Sequence, residues 1–437
     1  MDMHKEKADN VLLAGGEILN LSSGETSALD IVLANGKIDR IGKVDEKGFQ
    51  GDVHDITGHL VVPGLMDMHV HLREPGREDA ETIATGCAAA MAGGFTAVAC
   101  MPNTTPAIDT QEVVRFIRKK AENELVDVFP IAAITKGRQG KEITEMAELV
   151  RSGAVAFSDD GNPVVDASVM RHAMEYASMY DALLIDHCQD LNLSHGGHMN
   201  EGIMSTRLGI PGIPNAAESI HISRDIELAR LTGARIHIAH LSVKEGVELV
   251  RRAKEDGLYI SCEVTPHHLL FTDADLRSFD TNLKMNPPLR TKEDIAVLEQ
   301  AIKEGVIDVF ASDHAPHSIE EKDVEFNAAP FGIIGLETML GIILQQVVNR
   351  GLLSLEAALT KMIVTPRELL RIPVPQIKSG EPANLTIFNP GKSFVYHVNQ
   401  SKSKSKNAPY DGMELPGAVY GVVNQGWIWR ADEGELD

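Results

Sequence analysis

The segment GLMDMHVHLREPG places two histidines, His69 and His71, two positions apart at the end of an apolar run. In a β-strand, residues i and i+2 lie on the same face, so both imidazole rings would point the same way. Two such rings can bind one divalent cation, with zinc, manganese, cobalt or iron as suitable ions. An isolated pair of this kind is more often simply exposed, so the pair alone does not establish a metal site.

Further residues of metal-binding type follow other apolar, β-branched runs. They are Asp159, Asp160, Asp186, His187, His240, Asp313, His314 and His317. Taken singly, each has an ordinary explanation, such as a turn at Asp160-Gly161 or a hydrogen-bonded core histidine. Taken together, they exceed the needs of one tetrahedral zinc. They fit two metal ions bridged by a carboxylate and a hydroxide, an arrangement that cleaves amides and phosphoesters.

Eight apolar runs alternate with helical patterns and must position these residues. The runs cover residues 61–72, 95–101, 128–135, 154–160, 183–188, 235–242, 259–266 and 306–314. Continuous apolar strands alternating with helices predict parallel strands buried on both faces, and eight units over this length predict an α/β fold, the TIM-like (β/α)₈ barrel. An open doubly wound sheet is the alternative, but no GxGxxG motif follows any of the runs. Barrel active sites lie at the C-terminal ends of the strands, where the candidate ligands fall.

The two ends of the chain have a different pattern, with short β-rich runs and the hairpin signal Asn35-Gly36. We predict a small β-sandwich module formed by both termini, from residues 1–60 and 375–437, around a barrel of residues 61–374. The polar SKSKSKN segment, residues 401–407, is predicted to be an exposed loop.

Composition limits the partners. The 437 residues include 41 Lys and Arg against 63 Asp and Glu, for a net charge of −22, which argues against nucleic acid or an anionic membrane as a partner. An anionic substrate remains compatible, because an arginine or a metal ion can reverse the potential inside one pocket. The four cysteines show no CxxC spacing and no signal peptide is evident, so we expect free thiols and a cytoplasmic protein.

Nine motifs spread over the barrel region match one known family. They are DMHVHLREPG, MPNT, SDDG, DHC, IAHLS, EVTPHH, KMNPPLR, SDHAPH and APFGIIGLET. In this combination the sequence resembles the amidohydrolase superfamily and, within it, the dihydroorotase family of the bacterial type I group. The AVAFSDDG run has no lysine, whereas many amidohydrolases use a carboxylated lysine as the metal bridge. The resemblance therefore implies an aspartate bridge. It selects Asp160, while strand periodicity alone leaves Asp159 and Asp160 open.

The resemblance implies a role for each matching residue. His69, His71 and Asp313 would bind the first metal ion, Asp160 would bridge, and His187 and His240 would bind the second. Asp313 would also be the catalytic proton carrier. Substrate would be bound by His71, Arg73, Asn103, Asn286, His317 and the backbone near Phe331 and Gly332. A planar guanidinium suits a substrate carboxylate, and the alternative for Arg73 is a surface charge or a salt bridge to Glu74.

The implied reaction is the reversible hydrolysis of (S)-dihydroorotate to N-carbamoyl-L-aspartate by a metal-activated hydroxide, in de novo pyrimidine (UMP) biosynthesis. We expect two Zn²⁺ per subunit, a small-molecule substrate and a homodimer, and association with aspartate carbamoyltransferase is left open. The alternatives are another cyclic amidase (hydantoinase, dihydropyrimidinase or allantoinase) or a non-catalytic scaffold. The acidic segment 318–330 is either a lid or an ordinary long loop.

Overall fold

The computed structural model describes residues 5–431. In chain order the strands are β1 (Lys5–Lys7), β2 (Val11–Ala14), β3 (Glu17–Leu19), β4 (Thr26–Ala28), β5 (Asp30–Ala34), β6 (Lys37–Gly42), β7 (Asp52–Asp55), β8 (Leu60–Pro63), β9 (Leu65–Val70), β10 (Phe95–Cys100), β11 (Asp127–Ala132), β12 (Ala156–Ser158), β13 (Leu183–Asp186), β14 (Met199–Asn200), β15 (Gly212–Ile213), β16 (Ile236–Ile238), β17 (Ile260–Val264), β18 (Val309–Phe310), β19 (Leu385–Val395), β20 (Glu414–Asn424) and β21 (Trp427–Arg430).

The α-helices of the described residues connect and cover these strands. They are α1 (Ile83–Ala92), α2 (Gln111–Ala121), α3 (Met146–Ser152), α4 (Ala167–Ser178), α5 (Ile203–Leu208), α6 (Ala216–Thr232), α7 (Lys244–Glu255), α8 (Pro266–Leu270), α9 (Lys292–Lys303), α10 (Ile319–Lys322), α11 (Met339–Ile343), α12 (Leu355–Ile363) and α13 (Thr365–Leu369). Within residues 5–431, no helix has the length and apolar character that a bilayer span requires.

Eight parallel strands form the barrel in the order β9-β10-β11-β12-β13-β16-β17-β18. The ring closes where Val70 bridges His314 and the His71 N–H donates to the His314 carbonyl at 2.8 Å. Side chains of one strand enter two different cores: Leu184 packs in the cluster beneath the helices, whereas Leu183 and Ile185 belong to a second cluster. Both faces of the strands are therefore buried, which confirms the predicted (β/α)₈ barrel.

The first apolar run is not one strand, as predicted for residues 61–72, but two. β8 pairs with β19 in a sheet outside the barrel, and β9 begins the barrel itself. Gly64 separates them, and a Cβ there would lie 2.0 Å from the Thr96 hydroxyl. The close approach explains why the chain changes sheets at a glycine.

The ends of the chain build two further sheets. One has the order β1-β21-β20-β19-β8-β3-β4 and the other β6-β5-β2-β7. Their inner faces share one hydrophobic cluster, which includes Val11 and Leu33 from the smaller sheet and Leu385 and Ile428 from the larger. This sheet-on-sheet packing confirms a small β-sandwich formed by both termini.

The prediction of an exposed loop over residues 401–407 is wrong. Ser401, Ser403, Ser405 and Asn407 are buried, while Lys404 between them is exposed. The buried side chains form hydrogen bonds with polar groups of the barrel. The polar composition of the segment therefore does not mean that it is exposed to solvent. We call residues 401–407 the strap.

Candidate active site

Six side chains from five strand ends meet at the mouth of the barrel. In the first group, the Nε2 atoms of His69 and His71 lie 3.4 and 3.0 Å from Asp313 Oδ1. The same two nitrogens lie 3.7 and 3.5 Å from Oδ2 of Asp160. Two imidazoles and two carboxylates thus surround one point, and these are the four residues that the family resemblance implies for the first metal ion.

The second group uses the other oxygen of Asp160. His187 Nδ1 and His240 Nε2 lie 3.5 and 3.6 Å from Asp160 Oδ1, and 2.9 Å from each other. The carboxylate of Asp160 therefore presents one oxygen to each group. This is the geometry that a bridging ligand requires.

The donor set fits divalent metal ions. Ligands about 2.0–2.2 Å from a tetrahedral zinc lie roughly 3.3–3.6 Å apart, close to most of the separations above. Among residues 5–431, His69 Nε2 and Asp160 Oδ1 have no hydrogen-bond partner although both are buried. Buried polar atoms are normally paired, so these two atoms are consistent with a cation that accepts their lone pairs. The ligand roles of the six residues remain predictions.

The electrostatics of the cluster follow from its crowding. Burial opposes a charge on His69, but Glu263, Asp313 and Asp160 outweigh it and hold the pKa of His69 well above its usual value. Burial alone would raise the pKa of Asp160, yet the surrounding histidines hold it well below the ordinary range. The carboxylates thus favour positive charge at the mouth, which a proton or a metal ion can supply.

Asp159 and Asp160, which strand periodicity could not distinguish, point to different surroundings. Asp159 accepts a hydrogen bond from the Thr135 N–H at 3.0 Å and another from the Thr135 hydroxyl. These bonds tie the fourth barrel strand to the loop after the third. Asp160 alone of the two faces the histidines.

Sequence reasoning missed Glu263, which lies behind the first group. Its carboxylate is fully buried and lies 2.5 Å from His69 Nδ1 and 3.2 Å from His237 Nε2. It also accepts from the backbone N–H of His240 at 3.2 Å. A carboxylate on the far ring nitrogen fixes the tautomer and orientation of a ligating histidine. The signal was available, since Glu263 lies in the seventh predicted strand, residues 259–266, within the motif EVTPHH.

Replacing Glu263 with glutamine should weaken metal binding at the first group by about 10–100-fold. The amide keeps the size of the side chain but loses the charge that makes His69 a stronger ligand. Competition with a chromophoric chelator measures the affinity, and Glu255→Gln, an exposed change on α7, is the matched control. Equal affinities for both variants would contradict this role of Glu263.

Arg73 lies beside the two groups of predicted metal ligands, with its backbone in the left-handed region at φ 60°. Its Nε donates to the Pro316 carbonyl at 3.0 Å, and Nη2 lies 3.5 Å from His317 Nε2. Burial lowers its pKa to about 10, which leaves it charged at neutral pH. No carboxylate of residues 5–431 forms an ion pair with Arg73.

The alternative pairing of Arg73 with Glu74 is wrong. Glu74 instead contacts Lys120 at 3.0 Å and accepts from the Ile83 N–H at 3.0 Å. The charge of Arg73 is therefore left available for a ligand.

The other predicted substrate-binding residues surround the same mouth. Asn103 Oδ1 lies 2.7 Å from His71 Nδ1, and Asn286 Nδ2 lies 3.1 Å from His187 Nε2. His317 Nε2 lies 2.8 Å from the Phe331 carbonyl, and the Gly332 N–H donates to the Lys284 carbonyl at 2.9 Å. The structure brings these residues to one region, and their binding of substrate remains a prediction.

Two buried lysines hold the segment 318–330. Lys284 Nζ donates to the carbonyls of Phe326, Asn327 and Ala329 at 2.8, 3.0 and 2.6 Å. Lys322 Nζ donates to the carbonyls of Thr281 and Pro330, both at 2.9 Å. Burial, reinforced by Lys284, lowers the pKa of Lys322 to about 7. These contacts fix the segment beside the site, and its role as a lid remains a prediction.

The contribution of Lys322 to stability should depend on pH. An unfolded lysine titrates near pH 10.4, so above about pH 7 the unfolded chain binds more protons than the native protein. The stability of the wild type relative to Lys322→Met should therefore rise by about 1–2 kcal/mol between about pH 6.5 and about pH 9. Urea unfolding at both pH values measures the difference. Lys303→Met, an exposed change on α9, should show no such slope, and a flat difference for Lys322 would contradict the expectation.

Comparison with known proteins identifies the family. Residues 58–246 match the model described as "Dihydro-orotase-like". The dihydroorotase of Pelotomaculum thermopropionicum is 45% identical over 423 residues, 97% of this chain and 99% of the relative. That of Caldanaerobacter subterraneus subsp. tengcongensis is 46% identical and covers 96% of both chains. The chain belongs to the dihydroorotase family. The dihydroorotase resemblance of the motifs is thereby confirmed.

Solved structures extend the fold likeness beyond the dihydroorotases. The L-hydantoinase of Arthrobacter aurescens has a TM-score of 0.84 with 25% identity and covers 96% of both chains. The D-hydantoinase of Thermus sp. has a TM-score of 0.81, also with 25% identity, and covers 97% of both chains. The fold of this dihydroorotase-family chain, over nearly its whole length, is therefore similar to the folds of these two hydantoinases.

Proposed function

We propose that the protein is a dihydroorotase, a metal-dependent hydrolase that interconverts (S)-dihydroorotate and N-carbamoyl-L-aspartate in pyrimidine biosynthesis. The observation that carries the proposal is the position of Arg73, a charged guanidinium without an ion-pair partner among residues 5–431, beside two groups of metal-binding side chains. Dihydroorotate has a group for each part of this site, a cyclic amide for the metal-binding side chains and a ring carboxylate for Arg73.

We propose His69, His71, Asp160 and Asp313 as ligands of one metal ion and Asp160, His187 and His240 as ligands of a second, with Zn²⁺ as the preferred ion. The mixture of imidazole and carboxylate supports zinc. When bound, divalent ions of this kind lower the pKa of water and polarise a carbonyl oxygen. Two side chains of the protein orient the histidine rings toward the metal positions. Asn103 Oδ1 lies 2.7 Å from Nδ1 of His71, and Gln189 Oε1 lies 2.8 Å from Nε2 of His187.

Asp313 is the proposed proton carrier. Burial would raise its pKa, but His69 and His71 outweigh that effect and hold the pKa below its usual value, so the carboxylate is ionised at neutral pH. In the hydrolytic direction it accepts a proton from the attacking water and delivers it to the ring nitrogen that leaves. In the reverse direction the carboxylate takes the proton from the ureido nitrogen as the C–N bond forms, and delivers it to the oxygen of the side-chain carboxyl group that leaves as water.

Arg73 is the proposed anchor of the substrate carboxylate, with Asn103, Asn286, His317 and the backbone at Phe331 and Gly332 around the ring. The fork of a guanidinium accommodates both carboxylate oxygens. When Arg73 holds the substrate carboxylate at a fixed distance from the two groups of metal ligands, the ring amide is oriented for attack.

The alternatives differ in what they require of the site. Hydantoin, dihydrouracil and allantoin lack the ring carboxylate, so Arg73 would have no partner in those substrates. A non-catalytic scaffold would not need six ligand side chains brought together. An assay with dihydroorotate, hydantoin, dihydrouracil and allantoin tests the proposal, and turnover of dihydroorotate alone is the expected result. Turnover only of an uncharged ring would overturn it.

We further propose a cytoplasmic homodimer that holds two Zn²⁺ per subunit, with association with aspartate carbamoyltransferase left open. The cytoplasmic assignment is supported by Cys87, Cys100, Cys188 and Cys262, which are all free and buried, as expected in a reducing compartment. Metal analysis of the purified protein and its mass in solution test the stoichiometry and the dimer.

A further inference from the structure

The strap, residues 401–407 of the β-sandwich module, reaches the predicted substrate site through Asn407. The Asn407 Oδ1 accepts from the His317 N–H at 3.1 Å. Its Nδ2 donates to the carbonyls of Ala315 and Gly332 at 2.9 and 3.0 Å. One side chain, 3% exposed, thus joins the loop that carries His317 to the loop that carries Gly332.

The two loops meet with little spare room. A Cβ at Gly332, whose φ is +148°, would lie 2.8 Å from both the Ala315 carbonyl oxygen and His317 Cδ2. Lys284 holds the other side of the glycine, since its carbonyl accepts from the Gly332 N–H at 2.9 Å. The position of Gly332 relative to the His317 ring therefore depends on hydrogen bonds from both sides.

The strap is itself anchored to the barrel. Glu337 accepts from the Ser401 hydroxyl at 2.5 Å and from the Lys402 N–H at 2.9 Å. Glu81 accepts from the Lys404 N–H at 3.0 Å and lies 3.3 Å from His314 Nε2. Because carboxylates of the barrel hold residues 401–404 of the strap and the Ser405 hydroxyl donates to the Ala80 carbonyl at 2.6 Å, Asn407 is held in a fixed place.

We propose that Asn407 is a positioning residue for substrate binding, which sets His317 and the Phe331–Gly332 backbone at the correct distance from Arg73. The inference rests on the proposed function and assigns part of the substrate site to the terminal module. Asparagine suits the task because its side chain offers one acceptor and two donor hydrogens, and all are used here. Aspartate would lack the donors, and leucine would lack both.

The first test is the kinetics of Asn407→Ala in the metal-loaded protein. A misplaced binding loop should raise KM for dihydroorotate by roughly tenfold or more, while kcat and metal content change little. Asn399→Ala is an exposed control near the strap. Ser405→Ala removes a strap hydrogen bond to the Ala80 carbonyl without touching either loop. An equal rise in KM for Ser405→Ala would show that the strap affects KM only by stabilising the fold, and would overturn the specific role of Asn407. An unchanged KM for Asn407→Ala would also overturn the proposal.

The second test does not depend on turnover. Hydrogen exchange over residues 315–335 should become faster in Asn407→Ala, with no change in Asn399→Ala and little in Ser405→Ala. If the wild type failed to hydrolyse dihydroorotate, the proposed function would fail, while this measurement would still report whether Asn407 positions the loops. In a double-mutant cycle with His317→Ala, the KM effect of Asn407→Ala should shrink, because part of it acts through His317. Full additivity together with unchanged exchange would overturn the inference.

Discussion

Replacing Asp313 with asparagine should lower kcat for dihydroorotate by roughly 10²–10⁴-fold in both directions, the usual contribution of a general acid–base group. The amide cannot accept the proton of the attacking water, yet its oxygen can still bind a metal ion held by the first group of side chains. Metal content should therefore stay close to that of the wild type. Steady-state kinetics in both directions, with metal analysis of the same samples, measures the effect.

The control for this prediction is Asp323→Asn, an exposed change in the segment after the last barrel strand. It should leave both kcat and metal content unchanged. Near-normal turnover of Asp313→Asn would exclude the proton-carrier role. Loss of metal together with turnover would instead place Asp313 among the essential ligands and leave the proton transfer to another group.

Replacing Arg73 with methionine should raise KM for dihydroorotate by roughly 30-fold or more, equivalent to about 2 kcal/mol or more. The substitution leaves a substrate carboxylate without its charged partner in a partly buried site. Metal content should not change, because a guanidinium has no acceptor atom to bind a metal ion and Arg73 Nε donates to the Pro316 carbonyl. Michaelis constants with metal analysis give the direct comparison.

Two controls separate recognition of the carboxylate from loss of structure. Arg151→Met, an exposed change on the surface of the barrel, should leave KM unaffected. Any residual activity of the wild type on dihydrouracil should be retained by Arg73→Met, since that ring has no carboxylate. Collapse of metal content in Arg73→Met would mean that Arg73 is structural.

The barrel could be predicted because its strands are buried on both faces and therefore appear as continuous apolar runs. The candidate ligands could be located because parallel strands bring their C-terminal ends to one level. The break between β8 and β9 at Gly64 could not be predicted in this way, since the apolar run continues on both sides of the glycine. It depends on a contact with Thr96, a residue of the next barrel strand.

Other features depend on three-dimensional contacts that no local pattern contains. The side chain of Asp160 rather than Asp159 faces the histidines because Thr135, from another strand end, binds Asp159. Glu263 is a buried charge that only its histidine neighbours explain. The strap looked exposed because its composition is polar, whereas the carboxylates of Glu81 and Glu337 that bury it come from distant parts of the chain.

The pairing of β1 with β21, in which Lys5 lies opposite Trp429, has a consequence for how the protein is made. A chain leaves the ribosome with its N-terminal part first, and domains generally fold in that order. Here β1 cannot pair until β21 has been synthesised, and contacts between residues so far apart in sequence form slowly. Because the strap comes from the same late-arriving part of the chain, the barrel can collapse well before Asn407 reaches His317. A nascent chain would therefore pass through a stage at which the six predicted metal ligands are assembled but the predicted substrate site is still incomplete.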